Sequence, residues 1–325
     1  MATADQVRAL IRSHAEGDDT KFYSVALQVA ARAARSGQSH FAQELRDLVD
    51  SVRSQPARAH GRPTPVAQPR GELAGLLSVS YPATRMADLV LAPHLRKRLD
   101  RVLLEQRQQD RLQAKGFRPL RRLLLIGPPG TGKTMTASAL AGELHLPLFV
   151  IRLDGLITKF MGETAAKLRL VFDALSETRG LYLFDEVDAL GGERERTNDV
   201  GEIRRVLNSF LQFLEQDESE SLLVAATNHP HLLDRAIFRR FDAVIDYPLP
   251  TADVAEGVIR SRLANVRLGE ISWSEVTKAA NGLSHSEITL AAERAAKDAI
   301  LAKQSEVTSA GLVVALGERQ SRSSQ

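Results

Sequence analysis

The sequence predicts an α/β fold in which helices cover both faces of a parallel five-stranded sheet, with further helices before and after that domain. Three observations predict it. Short apolar runs alternate with helical patterns between residues 122 and 250, a glycine-rich loop joins the first run to a helix, and strand patterns stop after Pro248 and Pro250. A chain of 325 residues is long enough for two or three domains, one of them with a full-sized core.

The composition excludes several classes of protein. Hydrophobic residues make up 43% and charged residues 26% of the chain, which is typical of a globular protein. Cysteine is absent, so disulfide bonds, thiolate catalysis and cysteine zinc sites are excluded. No apolar run approaches the roughly 18 residues that a membrane-spanning helix needs, and residues 1–16 lack the apolar core of a signal peptide. We therefore expect a cytoplasmic protein that does not enter a membrane.

The N-terminal residues 1–54 predict a small helical domain. Apolar residues recur at helical spacing in three stretches, around residues 7–11, 22–29 and 41–49. These helices carry no catalytic constellation, so we expect them to dock a partner. Residues 55–75 contain four prolines and few large apolar side chains, which predicts an extended linker.

We assign residues 76–250 to the α/β domain. A helix is predicted at residues 95–112, and the strand patterns follow it. The predicted strands are Arg122–Ile126, Leu148–Leu153, Leu181–Phe184, Ser221–Ala226 and Ala243–Tyr247. Helical patterns at residues 135–142, 165–175 and 202–215 separate the first four strands. Because crossover helices join parallel strands, this alternation predicts a parallel sheet.

The C-terminal part predicts helices only. Residues 251–317 contain helical patterns that we assign to residues 254–264, 273–280, 284–303 and 311–316. The polar residues 318–325 predict a flexible tail.

The residues after the first strand fit the phosphate-loop pattern G-x-x-x-x-G-K-[ST], as Gly127-Pro128-Pro129-Gly130-Thr131-Gly132-Lys133-Thr134. The glycines allow backbone N–H groups to surround phosphates, and the following helix adds its partial positive charge. Lys133 is expected to meet the β- and γ-phosphates and Thr134 to bind Mg²⁺. Met135, the next residue, is included in the expected nucleotide site. The loop therefore predicts that ATP and Mg²⁺ bind here.

The strand at residues 181–184 ends in two acids, Asp185 and Glu186. In open α/β sheets, ligands bind at the carboxyl ends of the strands. Asp185 is therefore expected to hold Mg²⁺ beside Thr134, and Glu186 to polarise an attacking water.

A later strand also ends in polar residues, Thr227 and Asn228. Both are expected to lie beside the two acids, where the Asn228 amide can orient water or contact the γ-phosphate. The alternative is an asparagine that only begins the turn before His229 and Pro230.

Two adjacent arginines, Arg239 and Arg240, precede the last strand. Burying both would be costly, so we expect them at the surface. They are either surface charges or donors that reach the γ-phosphate of a neighbouring subunit, as arginine fingers do.

In this order, the phosphate loop (Walker A), the acid strand (Walker B), the Thr-Asn pair and the segment Arg239-Arg240-Phe241-Asp242 resemble the AAA family of ring-forming ATPases. The resemblance covers residues 76–316 and implies a homo-oligomeric ring, usually a hexamer, with ATP between subunits. It implies that Asn228 is the first sensor residue, that Arg239 and Arg240 are arginine fingers, and that the C-terminal helices form a lid.

Two weaker parts of the resemblance concern the nucleotide. The tripeptide Ala87-Asp88-Leu89 is similar to the segment whose backbone frames adenine, which adds Asp88 to the expected cofactor site. Residues 282–288 are similar to the Gly-x-Ser-Gly-Ala-Asp stretch of the lid, with His285 and Ser286 in place of Gly and Ala. No arginine stands there, so the resemblance implies no lid arginine at the γ-phosphate.

The segment Lys159-Phe160-Met161-Gly162-Glu163 resembles the first pore loop of AAA unfoldases, in which an aromatic ring grips a polypeptide. The resemblance implies that Lys159, Phe160 and Met161 bind a protein substrate. The alternative is that Phe160 packs into the core. The charged residues 191–201 are either a second pore loop or a solvated loop.

Together these features predict an ATP-hydrolysing ring that remodels or unfolds proteins by threading them through a central pore. Similar stand-alone bacterial AAA proteins with a small N-terminal helical domain often work beside a subtilisin-like protease, so the resemblance also suggests a partner protease. Two other functions stay open. Residues 93–122 contain ten Lys or Arg and three acids, which would suit a nucleic-acid motor or loader, but Phe117 is the only Phe, Tyr or Trp among those charges that could stack on a base. The other is an assembly scaffold that depends on ATP.

Overall fold

In the computed structural model, the described residues are 71–156, 161–190 and 200–323, with Pro69 and scattered positions between residues 25 and 49. The chain divides into two compact units, Met1–Pro63 and Thr64–Gln325. The division falls within residues 55–75, where the sequence predicts the linker. In the first unit the described positions are helical, and small apolar side chains among them, such as Ala30 and Val49, are buried.

Six strands and twelve helices are described in the second unit, and short 3-10 turns connect some of them. The strands are β1 Leu77–Ser80, β2 Arg122–Ile126, β3 Leu148–Ile151, β4 Leu181–Phe184, β5 Leu222–Thr227 and β6 Ala243–Asp246. The helices are α1 Leu73–Leu76, α2 Pro93–Arg107, α3 Gln109–Gln113, α4 Lys133–Leu144, α5 Leu153–Leu156, α6 Met161–Glu177, α7 Val200–Gln216, α8 Arg235–Phe238, α9 Ala252–Arg262, α10 Trp273–Ala279, α11 His285–Leu301 and α12 Ser309–Ser323. The 3-10 turns are Met86–Asp88, Val187–Leu190 and Pro230–Leu232.

The strands form one sheet in the order β1-β3-β4-β5-β2-β6. β3, β4, β5, β2 and β6 pair in parallel, whereas β1 pairs antiparallel with β3 at one edge. The five parallel strands are those that the sequence predicts, and the fold class is confirmed. The additional strand β1 was not predicted, because its residues Leu-Ser-Val-Ser give no continuous apolar run and only Leu77 among them is buried.

Successive residues of each strand face opposite sides of the sheet, so two separate cores form. Leu124, Tyr182 and Phe184 pack on the side covered by α6 and α7. Leu123, Leu183 and Val224 pack on the other side, with residues of α2 and α4. Both faces are therefore buried, as the apolar strands require.

Some boundaries differ from the prediction. Strand β3 ends at Ile151 rather than Leu153, and the short helix α5 begins at Leu153. The helix predicted at residues 95–112 is interrupted at Gln108, so that α2 and α3 are separate.

The last helix, α12, continues to Ser323, although the sequence predicts a flexible tail from Glu318 onward. An ion pair joins Arg294 to Glu318, and the Gln320 amide donates to the Asn281 carbonyl at 2.8 Å. These polar contacts give the end of the helix partners that an apolar pattern does not reveal. We call α9–α12 the C-terminal helical bundle, which has its own core of small and branched apolar side chains.

Candidate nucleotide site

The phosphate loop joins β2 to α4, and its backbone requires glycine at several points. Gly127, Gly130 and Gly132 have positive φ angles of 144°, 72° and 97°. A Cβ atom at Gly127 would lie 2.2 Å from the carbonyl oxygen of Tyr247, just beyond β6. The Tyr247 N–H donates to the Ile126 carbonyl at 2.8 Å, so the end of β6 holds the start of the loop. Pro128, Pro129 and the other loop residues thus follow a fixed backbone course.

The ammonium group of Lys133 is held by the loop itself. Its Nζ donates to the carbonyl oxygens of Gly127 at 2.7 Å and Pro128 at 2.8 Å, and the side chain is buried. Burial lowers the pKa of Lys133 below its ordinary value, and the charges of Asp185 and Asp188 act in the opposite direction. The lysine cation and these two acids therefore share one electrostatic environment.

Thr134 and Asp185, the two expected ligands of Mg²⁺, are in direct contact. The Thr134 hydroxyl donates to Asp185 Oδ2 at 2.7 Å. Mg²⁺ prefers oxygen ligands and commonly takes one or two from the protein, with phosphate and water supplying the rest. The hydroxyl and carboxylate oxygens fit that donor set. Among the described residues, no cluster of three or more His, Cys, Asp or Glu could hold a metal alone.

Glu186 follows Asp185 in an unusual backbone conformation. Its φ is 55°, in the left-handed region that non-glycine residues rarely adopt. Such a conformation costs about 1–3 kcal/mol and occurs preferentially at functional sites. The Glu186 N–H donates to Asp185 Oδ1 at 3.1 Å, and the Glu186 carbonyl accepts from the Ala189 N–H at 2.9 Å. The side chain is exposed at the end of the sheet.

Thr227 and Asn228 lie at the end of β5, next to β4 in the sheet. The buried Thr227 hydroxyl donates to Asp188 Oδ1 at 2.7 Å and accepts the N–H of His229 at 3.0 Å. Asn228 lies between Thr227 and His229 in the chain and is partly exposed. Asp188 was not among the predicted site residues, although it stands two residues after Glu186 in the sequence.

Asp88 and Met135, also predicted for the cofactor site, are both exposed. The Asp88 carboxylate accepts the N–H of Arg85 at 2.7 Å and so closes its own 3-10 turn. Thr131 is buried, and its hydroxyl donates to the Pro128 carbonyl at 2.8 Å. The side chains of Asp88 and Thr131 therefore stabilise the local backbone. We expect any contact of these two residues with the nucleotide to come from their backbone groups.

The two arginines differ in their surroundings. Arg240 forms an ion pair with Glu215 of α7, and both side chains are more than 40% exposed. Arg239 is exposed at the end of α8. In the described part of the chain, no hydrogen bond or ion pair joins either arginine to the phosphate loop. The segment of residues 239–242 is anchored by Asp242, whose Oδ2 accepts the backbone N–H groups of Arg121 and Arg122, both at 2.9 Å.

The C-terminal helical bundle contacts the phosphate loop at Gly130. The Ser286 N–H donates to the Gly130 carbonyl at 3.0 Å, and a Cβ on Gly130 would lie 2.7 Å from the Ser284 hydroxyl oxygen. His285, between these two serines, has both ring nitrogens buried. Burial lowers the pKa of His285, while the neighbouring Val90 backbone acts to raise it.

The predicted pore-loop residues are described only in part. Lys159 and Phe160, and most of the charged residues 191–201, lie outside the described residues. Met161, predicted to lie in the loop, is instead the first residue of α6, which begins before the predicted start at residue 165.

Many arginines of the basic segment, residues 93–122, already have acidic partners. Five ion pairs are formed: Arg96–Asp100, Arg101–Glu105, Arg107–Glu143, Arg118–Glu218 and the buried Arg121–Asp217. Half of the ten basic residues are therefore neutralised within the chain, which weakens the case for a nucleic-acid surface.

Comparisons with known proteins agree with this geometry. Residues 123–249 match the family described as "ATPase family associated with various cellular activities (AAA)". The chain is 31% identical over 310 residues to an uncharacterized AAA family ATPase, y4kL, of Sinorhizobium fredii, covering 94% of this chain and 92% of the relative.

Two relatives have descriptive names. The ATP-dependent zinc metalloprotease FtsH 1 of Methylacidiphilum infernorum is 34% identical over 250 residues, which is 73% of this chain and 39% of the relative. The proteasome-activating nucleotidase of Methanothermobacter thermautotrophicus is 31% identical over 234 residues, which is 70% of this chain and 57% of the relative. The chain thus spans well under two thirds of either relative.

A solved structure supports the fold. The crystal structure of the FIGL-1 AAA domain superposes with a TM-score of 0.60 at 23% identity, covering 74% of this chain and 85% of the other. Within the described ranges, no helix has the length and apolar character that crossing a bilayer requires.

Proposed function

The chain belongs to the AAA family of ATPases, and on that premise we propose that it is a hexameric ring that uses ATP and Mg²⁺ to remodel protein substrates in the cytoplasm. The observation that carries the proposal is the 2.7 Å contact between Thr134 and Asp185, with Lys133 buried beside them and Glu186 next in the chain. These residues supply a hydroxyl, a carboxylate, a cation and a second, exposed carboxylate. Phosphoryl transfer to water requires groups of these kinds.

Each residue has a separate part in the proposed reaction. Lys133 exchanges its contacts with the Gly127 and Pro128 carbonyls for phosphate oxygens, while Thr134 and Asp185 supply oxygen ligands. Mg²⁺, when bound, neutralises charge on the β- and γ-phosphates. Glu186 accepts a proton from the attacking water, and Asn228 orients that water.

Arg239 and Arg240 are proposed to act on the nucleotide of the neighbouring subunit. An exposed guanidinium that donates to the γ-phosphoryl oxygens would stabilise the charge that develops during transfer. The absence of any described contact to their own phosphate loop supports this arrangement.

A protein substrate is supported by the names of the relatives. FtsH 1 is a protease, and the proteasome-activating nucleotidase serves a proteolytic complex, so both act in the handling of proteins. We propose that Lys159, Phe160 and Met161 contact an extended polypeptide in the ring. Aromatic rings suit this role because they offer large contact area with little dependence on sequence. A subtilisin-like partner protease has no support among these relatives and stays a prediction.

The substitution Phe160→Ala tests the proposed substrate contact. Basal ATP hydrolysis, its stimulation by reduced, carboxymethylated α-lactalbumin, and thermal stability are measured on one preparation. We expect basal hydrolysis within a few-fold of wild type, unchanged stability and loss of stimulation, whereas Phe160→Tyr retains stimulation. Phe117→Ala is a matched control, because Phe117 is an exposed aromatic on the connection between α3 and β2.

Other outcomes would identify other functions. If Phe160 is a core residue, its truncation costs roughly 3–5 kcal/mol, and stability and basal hydrolysis fall together. Stimulation of the wild type by DNA instead of polypeptide, with a steep salt dependence, would indicate a nucleic-acid motor. A ring that assembles on ATP and responds to neither probe would indicate a scaffold.

A further inference from the structure

Asn228 is the central residue of a tight turn that the Thr227 side chain closes. The Thr227 hydroxyl accepts the N–H of His229 at 3.0 Å, so the residues on both sides of Asn228 are joined. Threonine hydroxyls stabilise turns of this kind through a bond to the backbone two residues later. The Asn228 backbone is thereby restricted at the end of β5.

The same hydroxyl ties this turn to the acids at the end of β4. Thr227 is fully buried, and its hydroxyl donates to Asp188 Oδ1 at 2.7 Å, so that its donor and acceptor capacities are both used. Asp188 lies in the 3-10 turn Val187–Leu190, directly after Glu186. Glu186 is therefore connected to Asn228 through the backbone of residues 186–188, the hydrogen bond from Thr227 to Asp188, and the turn of residues 227–229.

The surroundings of Asp188 place it beside the phosphate site rather than at a distant surface. Burial lowers the pKa of Lys133, and the charge of Asp188, like that of Asp185, partly opposes that lowering. The strained backbone of Glu186 is held by the Ala189 N–H, which belongs to the same turn as Asp188. A shift of this turn would therefore move the acid and release the Thr227 hydroxyl together.

We infer that Asp188 and Thr227 are positioning residues that hold the Asn228 amide in register with the Glu186 carboxylate for ATP hydrolysis. The inference rests on the roles proposed above for Glu186 and Asn228. It assigns no chemistry to Asp188 or Thr227, because they act through the backbone of their neighbours. The buried pair can act in this way because a satisfied hydrogen bond between two strand ends fixes their relative position.

Substitutions at Thr227 test the inference. Thr227→Val keeps the shape of the side chain and removes the hydroxyl, whereas Thr227→Ser keeps the hydroxyl. We expect Thr227→Val to lower kcat about tenfold or more with KM within about threefold, and Thr227→Ser to remain close to wild type. ATP affinity of Thr227→Val should stay close to wild type, because the phosphate loop is untouched. Its melting temperature is expected to fall modestly, because the N–H of His229 loses its acceptor.

A double-mutant cycle with Asn228→Ala provides the decisive comparison. If Thr227 acts only through Asn228, the double variant is no slower than Asn228→Ala alone. Additive losses, or a Thr227→Val variant with wild-type kcat, would overturn the inference while the role of Asn228 stands. A wild-type kcat for Asn228→Ala would instead overturn the proposed role of Asn228 and the inference with it.

A second variant covers the case in which Thr227→Val does not fold. Asp188 is only partly buried, so Asp188→Ala removes the acceptor with less risk to the core. The same fall in kcat at unchanged stability and ATP affinity supports the inference, and a wild-type kcat overturns it. Asp188→Asn retains an acceptor oxygen for Thr227 and is expected to lie between Asp188→Ala and wild type.

Discussion

The backbone N–H of Ser286 donates to the carbonyl oxygen of Gly130 at 3.0 Å, so the C-terminal helical bundle is bonded directly to the phosphate loop. Ser286 is near the start of α11, whose first turn is closed by reciprocal bonds between Ser284 and Glu287. The contact therefore joins a rigid helix end to a loop that surrounds phosphate. Any movement of the loop on nucleotide binding must be matched by the bundle or must break this bond.

Gly130→Ala is predicted to destabilise this junction. Its φ of 72° is unfavourable for alanine by about 1–2 kcal/mol, and the added Cβ would lie 2.7 Å from the Ser284 hydroxyl oxygen. Gly116→Ala is the matched control, since Gly116 has a φ of 78° but no atom within 4 Å of an added Cβ. We expect Gly130→Ala to lower the melting temperature more than Gly116→Ala and to weaken ATP binding. Equal melting temperatures and unchanged ATP affinity would show that the junction tolerates the contact.

Arg239→Ala is predicted to bind ATP and hydrolyse it poorly. Mixing it with Lys133→Ala subunits should restore part of the activity, because one interface can then combine an intact phosphate loop with an intact arginine. Recovery is measured as the hydrolysis rate of mixed rings relative to the separate variants. Demonstrably mixed rings without recovery would place the arginine's role within one subunit.

Arg240 requires a different comparison because it is paired with Glu215. If Arg240 serves only that exposed ion pair, Glu215→Ala and Arg240→Ala should have the same small effect on hydrolysis, since such pairs contribute about 0–1 kcal/mol to stability. We predict instead that Arg240→Ala slows hydrolysis and Glu215→Ala does not. Parallel ATPase assays of the two variants separate the cases.

His285 is predicted to make the folded state sensitive to acid. Burial lowers its pKa below the ordinary value of 6.5, so between that lowered pKa and 6.5 the unfolded chain binds more protons than the folded chain. The free energy of unfolding therefore rises with pH across this window and falls on acidification. Denaturant unfolding at about pH 7.5 and about pH 5.5 should show a smaller difference for His285→Gln than for wild type. The exposed His94→Gln serves as control, and an unchanged pH dependence of His285→Gln would contradict the prediction.

Much of the fold was predictable because the parallel strands are short and mostly apolar, and the two central strands β4 and β5 are buried along their whole length. β1 escaped prediction because its residues Leu-Ser-Val-Ser give no continuous apolar run, although Leu77 is buried in the core. The break at Gln108 carries no glycine or proline, so no local signal marks it.

The nucleotide site could be predicted where its residues belong to a motif of fixed spacing. It could not be predicted where a contact depends on the order of the strands in the sheet. The positions of Lys133, Thr134 and Asp185 follow from residue patterns. The pairing of Asp188 with Thr227 depends on β4 and β5 being neighbours, and it joins residues 39 positions apart. The pairing of Arg240 with Glu215 likewise depends on tertiary packing, so the sequence offered no basis for distinguishing the two arginines.

The most direct test of the proposed chemistry is the ATPase rate of Glu186→Gln, measured together with its affinity for ATP. The amide cannot accept the proton of the attacking water, whereas Lys133, Thr134 and Asp185 are unchanged. We predict a fall in kcat of about a hundredfold or more with ATP affinity within a few-fold of wild type, and no effect of the exposed control Glu220→Gln. A Glu186→Gln protein that hydrolyses ATP within a few-fold of the wild-type rate would contradict the assignment of Glu186 as the base.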